Sequence, residues 1–250
     1  MTKKSVLIII IFFAFISINC KNDSVTNPMT QSSNPIASIS GNFYKWANGS
    51  GKFVKLIMGN GTANSIVDLA LSSIDSLGKF SLSSLQAPQD SYIFPDTGSI
   101  QSTVNFGGKN AKIGFGFLTI NAKDTTSAYG FAWQFYMKDS IKTSSGDYQV
   151  NYLYSNQAFS ITGYDRTKIT SNFSGDSIGY TQNNYSINFK QGWNKMVAII
   201  SSLKDSTKVV KTITDQEPGG AKYYYTYNEP QVNKLKSSHF AKPTIFCTGK

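Results

Sequence analysis

Apolar side chains follow two patterns along this chain. Val6 to Ile16 is one unbroken apolar block, whereas beyond residue 36 apolar and polar positions alternate in short runs closed by Gly, Asn or Asp. Alternation with period two is the mark of a strand with one covered face. It predicts strands at Ile36–Tyr44, Lys52–Met58, Ser65–Leu71 and Gly78–Leu85. The Asn-Gly pair in Ala47–Gly51 and the segment Asp75–Gly78 supply tight turns between them. The run from Ser65 to Ser73 comes nearest to helical periodicity, but it is β-branched at Ile66 and Val67.

A second series of strands follows a loop from Pro88 to Gly108, which carries Pro95, Gly98 and Gly107-Gly108. The strands are expected at Ile113–Ile120, Tyr129–Met137, Tyr148–Tyr154, Ala158–Gly163, Tyr185–Phe189, Met196–Ser201, Lys208–Thr214 and Lys222–Tyr227. Short strands about ten residues apart imply an all-β, sandwich-like fold. The loop divides it into two sandwich-like domains, an N-terminal one over 36–96 and a C-terminal one over 109–228, with an irregular tail at 229–250. Neither half shows the internal period of a solenoid or propeller.

The N-terminal block changes the picture of where the chain resides. Lys3 and Lys4 precede it, and Ser17-Ile18-Asn19 and Cys20 follow it. A basic start, a short apolar run and a small or polar approach to a break describe a secretory signal peptide over 1–19. Eleven apolar residues are too few for a span, which needs about 20. Cysteine as the first mature residue points to lipidation at Cys20, with the membrane as partner through the lipid anchor and the outer membrane as location, on its surface or periplasmic side. Residues 20–35 then form a polar tether rich in Asn, Ser, Thr and Gln, too poor in apolar groups to offset the entropy of ordering. Cys247 is read as an incidental residue of the tail.

The 250 residues carry a formal net charge of +10, two units of which come from Lys3 and Lys4. The lysines are scattered and Arg166 is the sole arginine, so neither composition nor location suits a nucleic-acid partner. Polysaccharide or other envelope proteins fit an exported basic chain better. Candidate catalytic chemistry is thin. His239 is the one histidine and sits in the unpatterned tail; a triad or a histidine-based metal site would require that residue, and no metal, cofactor or catalytic residue is assigned. Glu217 and Glu229 are the only glutamates, each beside a proline, and the aspartates favour turns. Glycoside hydrolysis needs two carboxylates across one bond.

Two features remain as candidate sites. Six Asp-Ser/Thr steps lead into an aliphatic residue or threonine, with hydroxyls at Ser24, Ser76, Thr125, Ser140, Ser177 and Ser206. They are similar to the O-glycosylation signal of exported Bacteroidetes proteins. Side-chain-capped turns explain the same pattern, and both readings stand. Trp46 and Trp133 are candidate stacking surfaces for a sugar ring, against the alternative that each is a core residue. Trp193 follows Gly192 at the start of a strand and is read as a core anchor.

Three segments carry a resemblance: Tyr152-Leu-Tyr-Ser-Asn-Gln-Ala-Phe-Ser-Ile-Thr-Gly163, Ile187-Asn-Phe-Lys-Gln-Gly-Trp-Asn194 and Thr212-Ile-Thr-Asp-Gln-Glu-Pro-Gly-Gly-Ala-Lys-Tyr-Tyr224. With the strands before them they resemble exported lipoproteins of Bacteroidetes and related bacteria, over about residues 38–227. Ser155, Asn156 and Gln157 stand where those proteins carry an acidic and basic pair, which removes any role of that pair here. The resemblance implies a β-sandwich ectodomain and a location, and no chemistry. The expected function is a lipid-anchored envelope protein with a structural or interaction role and no catalysis. The alternative is a carbohydrate-binding or adhesin module, and the third reading is a hydrolase with unrecognised carboxylates.

Overall fold

The computed structural model describes residues 34–59, 66–95, 104–108, 110–122, 130–139, 142–170, 177–204 and 207–227. The expectations at Cys20, Ser24, Thr125, Ser140, Ser206, His239 and Cys247, with the leader, most of the tether and the tail, lie outside these residues. Fourteen strands form: β1 Ser38–Asn42, β2 Lys52–Gly59, β3 Ile66–Ile74, β4 Lys79–Ser83, β5 Phe94–Pro95, β6 Val104–Phe106 and β7 Lys112–Ala122. They continue as β8 Gly130–Tyr136, β9 Tyr148–Ser155, β10 Phe159–Thr170, β11 Ser177–Phe189, β12 Gly192–Lys204, β13 Lys208–Thr214 and β14 Lys222–Tyr227. One turn of 3₁₀ helix at Asp90–Tyr92 is the only helical element among the described residues, and the fold is all-β and sandwich-like. The nearest approach to a helical pattern, Ser65 to Ser73, is strand β3, as its β-branched residues favour.

Twelve strands share one open sheet, whose main path runs β3-β2-β7-β8-β9-β12-β13-β11-β10-β6. β14 pairs with β8, β5 pairs with β7, and β1 and β4 make a separate two-stranded sheet. The small sheet joins the large one at a parallel bridge between Phe43 and Tyr223, where the Tyr44 N–H donates to the Tyr223 carbonyl over 2.7 Å. Nearly all pairing is antiparallel; β11 and β13 run parallel, with Tyr180 opposite Lys208 and Tyr185 opposite Ile213.

The loop at 88–108 does not separate two cores. β2, from the expected N-terminal domain, pairs with β7 of the expected C-terminal one, Lys52 opposite Ala122 through Ile57 opposite Phe117. One buried cluster takes Val54, Leu56 and Leu82 from the first range together with Leu118, Tyr152, Trp193, Val197 and Tyr223 from the second. A second, smaller cluster of Leu153, Phe159, Ile161, Ile187, Phe189 and Ile213 lies on the opposite side of the sheet. Val104 and Phe106 of β6 at one edge and Ile113 of β7 pack against it, so the sheet curls around this cluster. β9 is therefore covered on both faces: Tyr148, Val150 and Tyr152 serve the first cluster and Leu153 the second.

The alternation of Ile113-Gly-Phe-Gly-Phe-Leu-Thr-Ile120 takes an unexpected sense. Gly114 and Gly116 face the first cluster, while Phe115 and Phe117 point outward, 39% and 45% exposed. A Cβ at Gly116 would stand 2.7 Å from Cζ3 of Trp193 and 2.8 Å from Cδ1 of Leu56. At Gly114 it would stand 2.5 Å from the Met58 sulfur. The glycines give room to large side chains arriving from β12 and β2, which no strand-period rule anticipates.

The last described residues of the tether are also held. Asn34 accepts the Lys195 N–H at 2.7 Å and donates its amide to the Lys195 carbonyl at 3.1 Å, and the Ile36 N–H donates to the Trp193 carbonyl. Here β13 has ended and the edge of β12 is open, so residues 34–36 satisfy its backbone groups.

Candidate binding face on β8 and β14

β8 and β14 run antiparallel, with Phe135 opposite Lys222, Trp133 opposite Tyr224 and Phe131 opposite Thr226. Alternation sends Ala132 and Gln134 of β8 inward with Tyr223 of β14, and leaves Phe131, Trp133, Phe135, Lys222, Tyr224 and Thr226 on the outer face.

The inward side chains form a polar chain through the first cluster. The Tyr152 hydroxyl lies 2.7 Å from that of Tyr223 and donates to Oε1 of Gln134 at 2.6 Å. Gln134 Nε2 donates to Oε1 of Glu217 at 3.1 Å, and Lys195 Nζ donates to Oε2 of Glu217 at 2.6 Å. Glu217 reaches in because Pro218 is followed by Gly219 and Gly220, both with φ near +90° (93° and 85°), a turn that side-chain-bearing residues resist. The Tyr148 hydroxyl pins that turn by donating to the Gly219 carbonyl at 2.6 Å. Every link is a satisfied partner for a group removed from water, which makes the chain a staple between β8, β9, β12, β14 and the 215–221 loop.

Burial raises both phenols. Tyr223 is pushed up to about 12 and Tyr152 well above the usual tyrosine value, with desolvation the main cause and the nearby Glu217 charge adding to it. In the unfolded chain these phenols ionise near pH 10, so between pH 10 and about 12 the folded state holds protons that the unfolded state has lost. Stability must then fall as pH rises through that window, by up to about 1.4 kcal/mol per pH unit for each protected phenol. Urea midpoints measured from pH 9 upward should show this alkaline slope, and Tyr152→Phe should flatten it. An unchanged slope in the variant would contradict the assignment.

The outer face is aromatic. Phe131 is 49% exposed, and Trp133, Phe135 and Tyr224 are half-buried. Ring centroids lie 6.2 Å apart for Phe131 and Trp133 and also for Phe135 and Tyr224. Tyr44, 40% exposed and just past β1, stands 5.4 Å from Tyr224. On the other flank Thr119 of β7 is opposite Phe131, and Phe117 and Phe115 extend the same face. The ammonium groups of Lys222 and Lys45 lie 4.7 and 5.2 Å from the Tyr44 ring centroid. Rings fixed in strands form a rigid platform, and a ligand that stacks on them pays little ordering entropy.

Of the two candidate tryptophans, the structure brings only Trp133 to this face. Trp46 lies between β1 and β2, stacked on Phe43 at 5.2 Å and tilted against Tyr225 at 4.8 Å, with its indole N–H given to the Gly49 carbonyl. Its ring is engaged in this aromatic cluster, since Phe43 and Tyr225 also meet each other at 5.6 Å. Trp193 is 3% exposed and serves the first cluster. Tyr44, Phe131 and Phe135 escape sequence reasoning, and the run Tyr223–Tyr227 offers flat faces without showing that Tyr224 is the outward one, because strand parity gives two faces without saying which one is covered.

Among the hydroxyl candidates, Ser76 is exposed in the β3–β4 turn, where the Asp75 carboxylate accepts the N–H groups of Leu77 and Lys79 at 2.8 Å each. The aspartate there does the work of a turn cap. Ser177 opens β11. The carboxylates with resolved partners are committed to structure: Asp68 pairs with Lys55, Asp90 with Lys112, and Glu217 with Lys195. Asp147 accepts the N–H groups of Lys138 and Ser144, and Asp165 accepts from the Asn183 amide and the Tyr185 hydroxyl.

No protein-family model matches the chain, and neither a curated protein nor a solved structure is similar enough to match.

Proposed function

We propose that this protein is an exported, lipid-anchored envelope module that binds carbohydrate, without catalysis, on the outer face of β8 and β14. The observation that carries the reading is the strand-borne row of Phe131, Trp133 and Tyr224, continued by Tyr44 of the turn after β1, whose N–H is bound to the Tyr223 carbonyl; Phe131 and Tyr44 are exposed and Trp133 and Tyr224 half-buried. Packing alone would turn such rings inward, as it does Trp193 and Tyr223. Among the described residues, Asp68, Asp90 and Glu217 are held in ion pairs and Asp165 in side-chain hydrogen bonds, which supports binding over hydrolysis. The N-terminal pattern ending in Cys20 supplies the anchor.

Two measurements test the two halves. A polysaccharide pull-down with the purified full chain should retain it, and Phe131→Ala with Trp133→Ala should weaken retention by about tenfold or more, as loss of stacked rings does. Their urea midpoints should stay near the parent value. Retention unaffected by both changes would sink the face as the site. For the anchor, Cys20→Ser should move the protein from the detergent phase to the aqueous phase; a variant that still fractionates with membranes would refute lipidation there.

A further inference from the structure

Resting on that carbohydrate-binding reading, we propose that the face is built for an acidic polysaccharide, with Lys45 and Lys222 flanking Tyr44 as the subsite for its carboxylate groups. Both ammonium groups sit over the same ring, Lys222 at 4.7 Å and Lys45 at 5.2 Å from its centroid. Among the described residues neither pairs with a carboxylate; the ion pairs there belong to Lys55, Lys112 and Lys195. An anion that reaches the Tyr44 ring therefore meets two ammonium groups whose charge no carboxylate of the described residues offsets.

The backbone supplies an independent observation. Lys45 has φ of 53°, in the left-handed region where glycine and asparagine are at home. The turn is fixed there, with the Lys45 carbonyl accepting the Tyr225 hydroxyl at 3.2 Å. A lysine in that position costs stability and gains nothing by burial, since its side chain is exposed. What it does gain is a place beside Tyr44, with Lys222 and Tyr224 completing the group. The sugar rings of the polymer would stack along Tyr224 and Trp133 while its carboxylates meet the two ammonium groups.

A glycan suits this face better than a lipid surface. The rings are set in strands or tilted against one another at 5.4 and 6.2 Å, so they do not project into a bilayer as an inserting loop or helix does. The excess of lysine over the whole chain adds long-range attraction for a polyanion.

The experiment uses the full chain in non-ionic detergent. Polygalacturonate, alginate and hyaluronate are each compared with their carboxyl-reduced, neutral forms. At least one acidic polymer should bind about tenfold or more tightly than its reduced form, an advantage lost in Lys45→Gln/Lys222→Gln and kept in Lys45→Arg/Lys222→Arg. Lys45→Gly should raise the urea midpoint while weakening acidic-polymer binding, which separates loss of the charge from loss of the fold. Equal binding of acidic and reduced polymers would overturn the charge subsite and leave the carbohydrate-binding reading intact. Binding of none of the six polymers would overturn both. Lysine-dependent binding to anionic vesicles that the acidic polymers do not compete away would overturn it in favour of a lipid surface.

Discussion

Replacing Trp193 by alanine should lower stability by about 3–5 kcal/mol, read as a drop in the urea midpoint. The indole is 3% exposed and meets Tyr154 edge-on at 5.7 Å. Its N–H donates to the Gln86 carbonyl at 2.8 Å, which ties the start of β12 to the segment after β4. Gly116 makes the space that the ring occupies. Gly116→Ala alone should therefore cost about 1–3 kcal/mol, because its methyl would meet the indole and Leu56 inside a packed core. In the Trp193→Ala background only the Leu56 contact remains, beside a void into which that side chain can turn, and the cost should fall markedly. A double-mutant cycle reads this coupling directly. Costs that simply add, to within about 0.5 kcal/mol, would show that the indole and the glycine do not share that space.

The second large effect is expected at the ion pair that ends the inner polar chain. Glu217→Ala leaves the Lys195 ammonium and the Gln134 amide without their acceptor beneath the sheet. Breaking a fully buried pair costs about 3–5 kcal/mol. The side chains are 18% and 23% exposed, so water recovers part of this and about 2–4 kcal/mol is the expected loss. Lys195→Met with Glu217→Leu should restore most of it, since it removes both charges together. A Glu217→Ala protein within about 0.5 kcal/mol of the parent would place the pair among surface contacts that carry no structural weight. Because Gln134 and Tyr223 hold β8 and β14 from inside, the single change should also loosen the outer aromatic row, whereas the double apolar change should preserve it.

The positions of most strands were legible in the chain. Lys208–Thr214 and Lys222–Tyr227 coincide with β13 and β14, and Lys52–Met58 falls one residue short of β2. Strands were shortened where the alternation loses its apolar half. β11 begins at Ser177, well before the apolar signal at Tyr185, because residues such as Thr181, Gln182 and Asn184 are paired on both sides by β10 and β13 without being apolar. β5 and β6 were hidden for a different reason: at two and three residues they are too short to show any period, and only their partners β7 and β10 make them strands. The expected divide at 88–108 failed because a loop rich in glycine and proline marks a break in secondary structure, while a domain boundary depends on whether cores touch across it.

The candidate site was less legible than the fold. Trp133 stood out by its rarity, but Lys45 and Tyr44 look like ordinary turn residues until β14 brings Lys222 and Tyr224 beside them from some 180 positions away. The inner chain is equally non-local, joining Gln134, Tyr152, Lys195, Glu217 and Tyr223 from four strands and a loop.

By itself the sequence determined where the backbone extends and where it turns, because side-chain parity and the conformational freedom of Gly, Asn and Asp are local properties. Only the tertiary structure decided which of the two faces is inside. That choice rests on what arrives to cover the strand: Trp193 over Gly116 turned Phe115 and Phe117 outward, and Tyr223 packing inward left Tyr224 facing solvent beside two lysines.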